Sequence, residues 1–224
     1  QGLTYNSYFT EGGFDSMINF SFGSRKGLPT VDKLNATYAT YASTINETNY
    51  TTDFNMLTYI SSHDDNLYRK DDLAYQASAL MLLPGGVQIY YGDESNRQLV
   101  PTQTGVTLKD HAYRSFMNWD TIDATLQAHW QKLGTFRNDH VAVGGGVHRD
   151  LTTTSGAAFT RMYEEDGEIT DTIAACITNE LNTNVTITVG SAFKEGTTVT
   201  NTYDGKTQTV TDGKVTFNSG ANGT

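Results

Sequence analysis

Cysteine occurs once in the 224 residues, at Cys176, so no intrachain disulfide can form and a Cys-x-x-Cys metal or redox site is excluded. That thiol lies in the apolar segment "TIAACIT", where the role of a small buried hydrophobe is expected. No apolar run approaches the ~20 residues that a membrane helix needs, so no membrane partner is expected. A signal-peptide pattern is also missing, and the chain opens on Gln1 rather than Met, so a processed or truncated start is the expectation. Cations are in short supply, with 15 Lys and Arg against 25 Asp and Glu, for a formal net charge of -10. A chain of that sign is a poor partner for nucleic acid or an anionic membrane. The five histidines, His63, His111, His129, His140 and His148, are scattered without ligand spacing, so no metal site is expected in this chain.

What is present suits a folded domain: 37% of residues are hydrophobic and 11% aromatic, enough to bury a core and unlike a disordered chain. The 13 tyrosines and two tryptophans are compatible with a neutral, hydroxyl-rich ligand such as a sugar, although composition alone does not establish one.

Up to about residue 140 strand-like and helix-like segments alternate. "FDSMINFSF" (14–22), "NMLTYIS" (55–61) and "VQIYYG" (87–92) read as strands. Between them, Val31, Leu34, Tyr38, Tyr41 and Ile45 recur at helical spacing behind Pro29 and Thr30, and "DDLAYQASALMLL" (71–83) forms a second helix. Asp71 and Asp72 favour its N-terminus and Pro84, Gly85 and Gly86 end it. "ATLQAHWQKLGTFRNDH" (124–140) makes a third helix. This order predicts parallel strands with crossover helices outside, in a fold whose functional groups gather at strand C-terminal ends. After residue 141 the segments are short, rich in Thr and Val and alternating in polarity. Asp204-Gly205 and Asp212-Gly213 supply hairpin turns. An antiparallel β-sandwich is expected there, and with no low-complexity linker the two parts should pack directly.

The second predicted strand ends in "SSHDD" (61–65). An imidazole and carboxylates at a strand mouth are costly unless water or a ligand meets them. By itself the motif fits a solvated loop, a metal site without further ligands, or a Ser-His-Asp set lacking a nucleophile elbow. Other strand ends narrow the choice. "FDSMINF" (14–20), "YISSHDD", "GGVQIYYGDE" (85–94) and "MNWD" (117–120), in that order, resemble the later part of the α-amylase family of glycoside hydrolases. Within it, the likeness is greatest to periplasmic or secreted bacterial α-amylases, and it is strongest over 55–140.

The resemblance implies an α/β fold: residues 1–140 as the C-terminal part of a (β/α)8 barrel, about strands six to eight, and 141–224 as a C-terminal β-sandwich domain. It implies retaining hydrolysis of α-1,4-glucosidic bonds in starch or maltodextrins by a secreted or periplasmic enzyme acting on an α-glucan or maltooligosaccharide. Asp64 matches the family's transition-state-stabilising third carboxylate and His63 its substrate-binding histidine. The nucleophile, the general acid and the family's Ca2+ ligands would belong to an upstream N-terminal part, with no cofactor in this chain. A transglycosylase or a trehalose- or sucrose-modifying enzyme is the alternative, as is a non-catalytic glucan-binding protein. Ser62 departs from the Asn often found before the His-Asp pair. Asp65 has no matching role and reads as a solvated turn residue. Tyr90 and Tyr91 read as core and Trp119 as loop packing. Asp93 and Glu94 read as a structural pairing, with Arg97 as a partner for Glu94.

Overall fold

A computed structural model describes residues 14–23, 25–46, 55–70, 72–100 and 109–224. The first half contains strand β1 (Ser16–Asn19), helix α1 (Val31–Asn46), strand β2 (Asn55–Tyr59), helix α2 (Leu73–Met81), strand β3 (Gly86–Gln88) and helix α3 (Ala124–Asp139). A single helical turn, α4 (Ala142–Gly145), leads into strands β4 (Val147–Leu151), β5 (Ala157–Glu165), β6 (Glu168–Ile177), β7 (Asn184–Thr188), β8 (Thr198–Thr200), β9 (Thr207–Thr209) and β10 (Lys214–Asn218).

The three first strands form a parallel sheet in the order β1-β2-β3, with Met17 opposite Met56 and Tyr59 opposite Gln88. This is the neighbour order and direction that the alternating sequence pattern predicts. Among the described residues the sheet is open rather than closed into a barrel. The strands are shorter than 14–22 and 87–92 because the ladder limits them. The last residue β2 offers to β3 is Tyr59, so residues 89–92 find no strand among the described residues to pair with and turn away.

Helix starts follow capping chemistry. The Asp72 carboxylate accepts from the backbone N–H of Ala74 (2.9 Å) and Tyr75 (3.2 Å), while Asp71 lies outside the described residues. Asp123 caps α3 through Leu126 N at 3.0 Å. The C-terminal end of α2 is handled differently. Its orphan carbonyls are met by two arginines from elsewhere in the chain, which also suit the negative end of the helix dipole. Arg137 donates to Met81 O (2.9 Å) and Leu83 O (2.8 Å), and Arg161 to Leu82 O (2.7 Å).

The second half is antiparallel, as β4-β5-β6, β7-β10 and β8-β9. "VAVGGGVHRDL" is only partly strand, because 142–145 form α4. Asp212 (φ 51) and Gly213 (φ 68) both take the left-handed conformation of a tight hairpin, and so do Asp166 and Gly167, a turn the sequence pattern missed. β5 is buried on both faces. Phe159 joins Leu34, Tyr38, Leu80 and Leu83 in the main core, while Ala158 joins Val185, Ile187 and Val215 in a second one. The helices and the β4-β5-β6 sheet therefore share one core across residue 141, packing directly as the missing linker suggested.

Candidate active site

The turn after β2 is built by its serines. Ser62 Oγ accepts the backbone N–H of Asp64 (3.3 Å) and Asp65 (3.0 Å), while Ser62 N donates to Asn66 O at 3.1 Å. These bonds fold 62–66 into a tight reversal at the strand's C-terminal end. His63 and Asp64 are turned outward by it, with the side chain of Asp64 64% exposed, and His63 Nε2 stands 3.2 Å from Asp64 Oδ2. Arg114 Nη2 donates to the other carboxylate oxygen, Oδ1, at 3.0 Å. The Tyr90 ring lies beside the imidazole, with 6.4 Å between ring centroids. The rim thus presents a carboxylate, an imidazole and a guanidinium to solvent, with the half-buried ring of Tyr90 beside them.

Asp65 is no solvated turn residue. Its carboxylate accepts from Arg25 Nε (2.7 Å), Tyr59 Oη (2.6 Å) and Ser62 Oγ (3.2 Å). Burial by itself would raise this carboxyl, but the bonds from Arg25, Tyr59 and Ser62 outweigh it and hold the group below its ordinary range. Asp65 therefore ties the loop after β1 to the loop after β2. The same two loops meet at Gly23, whose φ of +67° suits glycine and where a Cβ would stand 2.4 Å from Ile60 Cα.

The groups beyond β3 brace the rim from beneath. Asp93 has a fully buried side chain whose Oδ1 accepts from Arg69 Nη1 at 2.7 Å. Burial raises the Asp93 carboxyl despite the opposing Arg69 charge. Arg69 also donates to Gly92 O (2.8 Å) and Arg97 O (2.9 Å), so it pins the turn after β3 to the end of β2. Glu94 accepts from Gly92 N at 2.9 Å, and neither acid hydrogen-bonds to His63 or Asp64. Arg97 does not pair with Glu94. It is buried and donates to Tyr91 O (3.2 Å), Tyr113 O (3.0 Å) and Ser115 Oγ (2.6 Å), with its guanidinium 4.0 Å from the Tyr91 ring centre. Tyr90 and Tyr91 are not core residues: Tyr90 is half-buried and Tyr91 exposed, their hydroxyls bonded to Tyr113 O and Ser115 O. Trp119 does not pack the loop either and is largely exposed.

Comparison with known proteins bears on what this rim is. Over 171 residues, 74% of this chain, the sequence is 36% identical to the periplasmic alpha-amylase of Escherichia coli K12. This chain is a relative of the α-amylases. It spans 24% of the length of that curated relative. No family model matches the chain. Among solved structures, Eubacterium rectale Amy13B superposes with a TM-score of 0.62 at 18% identity, covering 98% of this chain and 49% of that one. A γ-CGTase from alkalophilic Bacillus clarkii gives 0.61 at 20% identity, covering 97% and 32%. At these identities the solved structures establish the fold alone, which is that of the α-amylase family.

In this α-amylase relative the two residues singled out at the strand end do come together, because they are neighbours on one turn. Arg114 could not have been anticipated, since 50 residues separate it from Asp64. The Asp65 contacts had one usable signal: parallel β-strands place the loops that follow them side by side, so Arg25 after β1 falls within reach of the turn after β2. Among the described residues no group of three or more His, Cys, Asp or Glu is arranged to hold a metal ion, and no helix is long and apolar enough to cross a membrane.

Proposed function

We propose that the chain is the C-terminal part of an enzyme that hydrolyses α-1,4-glucosidic bonds in starch or maltodextrins with retention. The observation that carries this reading is the outward-facing His63–Asp64 pair at the exit of a parallel strand, in a chain 36% identical over 171 residues to a periplasmic α-amylase. In this reading β1, β2 and β3 are strands six to eight of a (β/α)8 barrel within residues 1–140, and 141–224 form the closing β-sandwich. The open sheet supports it. Among the described residues β1 and β3 each have one neighbour, and Ile18 and Phe20 stand exposed. Unpaired edges beside apolar surface are aggregation-prone unless further strands cover them.

Retaining hydrolysis needs a nucleophilic carboxylate and an acid/base carboxyl about 5–5.5 Å apart. We assign both to an upstream segment, together with any Ca2+, whose part would be to hold loops in place. The role of Asp64 is to accept hydroxyl hydrogen bonds from the sugar being cleaved and to tighten on them as positive charge develops. A contact that strengthens in the transition state raises turnover rather than ground-state affinity. His63 donates to a hydroxyl of the same sugar, and the buried Arg69–Asp93 pair fixes the turns that carry both groups. A periplasmic or secreted location follows from the same kinship.

The test compares the natural gene product with residues 1–224 alone in a reducing-sugar assay on soluble starch. The natural product should release sugar of retained configuration and the isolated chain none. Starch cleavage by residues 1–224 alone would refute the assignment of the nucleophile and acid to an upstream segment.

A further inference from the structure

The second core, between β5-β6 and β7-β10, is not filled. Facing sheets of a sandwich stand about 10 Å apart and need interdigitating side chains between them. β5 and β6 send only Ala158, Ala174 and Cys176 into that space, with Ala158 and Cys176 opposite each other in register. Side chains so short leave room before Val185, Ile187 and Val215 of the facing strands. Ala174, Cys176, Phe193, Val199 and Phe217 accordingly remain only partly buried, although they belong to a core. The gap is a cavity of about 420 Å3, closed on one side by Leu133 and Phe136 of α3. That size falls in the range of ligand pockets, about 300–1,000 Å3. An apolar void holds water poorly, and its wall atoms lack van der Waals contacts that an apolar occupant restores. His63, Asp64 and Arg114 do not line it.

The wall carries one cation with donors to spare. Lys132 is exposed, lines the cavity and donates through Nζ to Tyr203 O at 2.8 Å, with Nζ 4.4 Å from the Tyr203 ring centre. An ammonium has three donors, and Tyr203 O takes one of them. Among the described residues no carboxylate pairs with Lys132, and the neighbouring Asp204 is held by Lys206 at 2.7 Å. His140 also lines the cavity but already faces Asp171 at 2.9 Å, so an anion is favoured at Lys132 and opposed there. We infer that the cavity binds an aliphatic carboxylate of the fatty-acid class, its chain filling the sandwich core and its carboxylate accepting from Lys132 Nζ. A flexible chain can follow a lining that reaches from Leu133 and Phe136 on α3 to Phe217 on β10. A charge-assisted bond at the wall then fixes which end lies where.

The experiment titrates the natural gene product by calorimetry with monomeric decanoate and, as the uncharged probe, decanol. Both should bind, decanoate more tightly. Lys132→Met should weaken decanoate about tenfold, the scale of one hydrogen bond to a charged group, and leave decanol within about twofold. Ala174→Phe fills the cavity and should abolish binding of both, with an unchanged or raised melting temperature showing that the variant folds. The unaltered protein gives an independent answer should that ring prove too large. Cys176 lines the cavity, so its alkylation, read by peptide mass spectrometry, should slow as decanoate occupancy rises. No binding of either probe would overturn the inference. So would undiminished binding in folded Ala174→Phe, or Cys176 alkylation unchanged at saturating decanoate, because the probe would then sit elsewhere. Equal weakening of decanoate and decanol in Lys132→Met would overturn the assignment of a carboxylate to Lys132. No glucan enters the assay, so its outcome is independent of the hydrolase reading.

Discussion

Replacing Asp93 by alanine tests whether the rim rests on a buried ion pair. Asp93 has no solvent-exposed side-chain surface, Arg69 is nearly buried, and their polar atoms are 2.7 Å apart. At an effective dielectric of about 20, two unit charges some 4 Å apart attract by about 4 kcal/mol. Removing one partner of a buried pair costs about 3–5 kcal/mol, because the other charge is left without compensation. Arg69 keeps its bonds to Gly92 O and Arg97 O, so the lower half of that range is the expected loss for Asp93→Ala. Arg69→Met tests the same pair from the other side. It removes the charge that opposes burial at Asp93, so the folded-state pKa, already raised, moves further up. A carboxyl with a raised folded pKa contributes stability below its unfolded pKa and loses it as pH rises through the folded one. Arg69→Met should thus be more stable near pH 5 than near pH 7, whereas Asp93→Ala has no carboxyl there to give this response. Urea denaturation of the natural gene product at both pH values measures this. A loss under about 1 kcal/mol in Asp93→Ala would refute the reasoning, because surface-level screening would then suffice to explain the pair.

Asp64→Asn in the natural gene product should lower kcat on maltoheptaose several hundredfold, since one lost transition-state contact costs about 3–4 kcal/mol, while the urea midpoint stays unchanged; near-normal turnover would count against the role given to Asp64. Stability should also fall in mild acid through His148, whose imidazole is pushed down to about 4 by burial and then by the neighbouring Arg161. Its ordinary value lies near 6.5, so the unfolded chain takes up the proton first, and the stabilisation present above about pH 6.5 is lost as pH falls toward about 4. Tyr38, Phe159 and Asp150 face the same ring, and His148→Gln should flatten the pH dependence of the urea midpoint in that interval; an unchanged pH slope in the variant would exclude His148 as its source.

Much of this molecule was legible along the chain. The helical spacing of Val31, Leu34, Tyr38 and Tyr41 became a buried face, and Asp72, read as favouring a helix N-terminus, became its cap, because these signals act over three or four residues. Parallel strand order followed from alternation, and the turn at 62–66 kept His63 beside Asp64 because adjacent residues need no tertiary contact to be neighbours. What tertiary structure alone decided is everything that depends on groups far apart in sequence meeting in space. Asp65 looked solvated until Arg25, 40 residues away, closed on it, and Asp64 acquired Arg114 across 50. Tyr90 and Tyr91 looked like core because an apolar run cannot report where a strand's partner ends, and β2 stops pairing at Tyr59. Arg161 shows the same limit from the other side. No local pattern places a buried arginine, and the reason for it, the open carbonyl end of α2 at Leu82, lies 79 residues upstream.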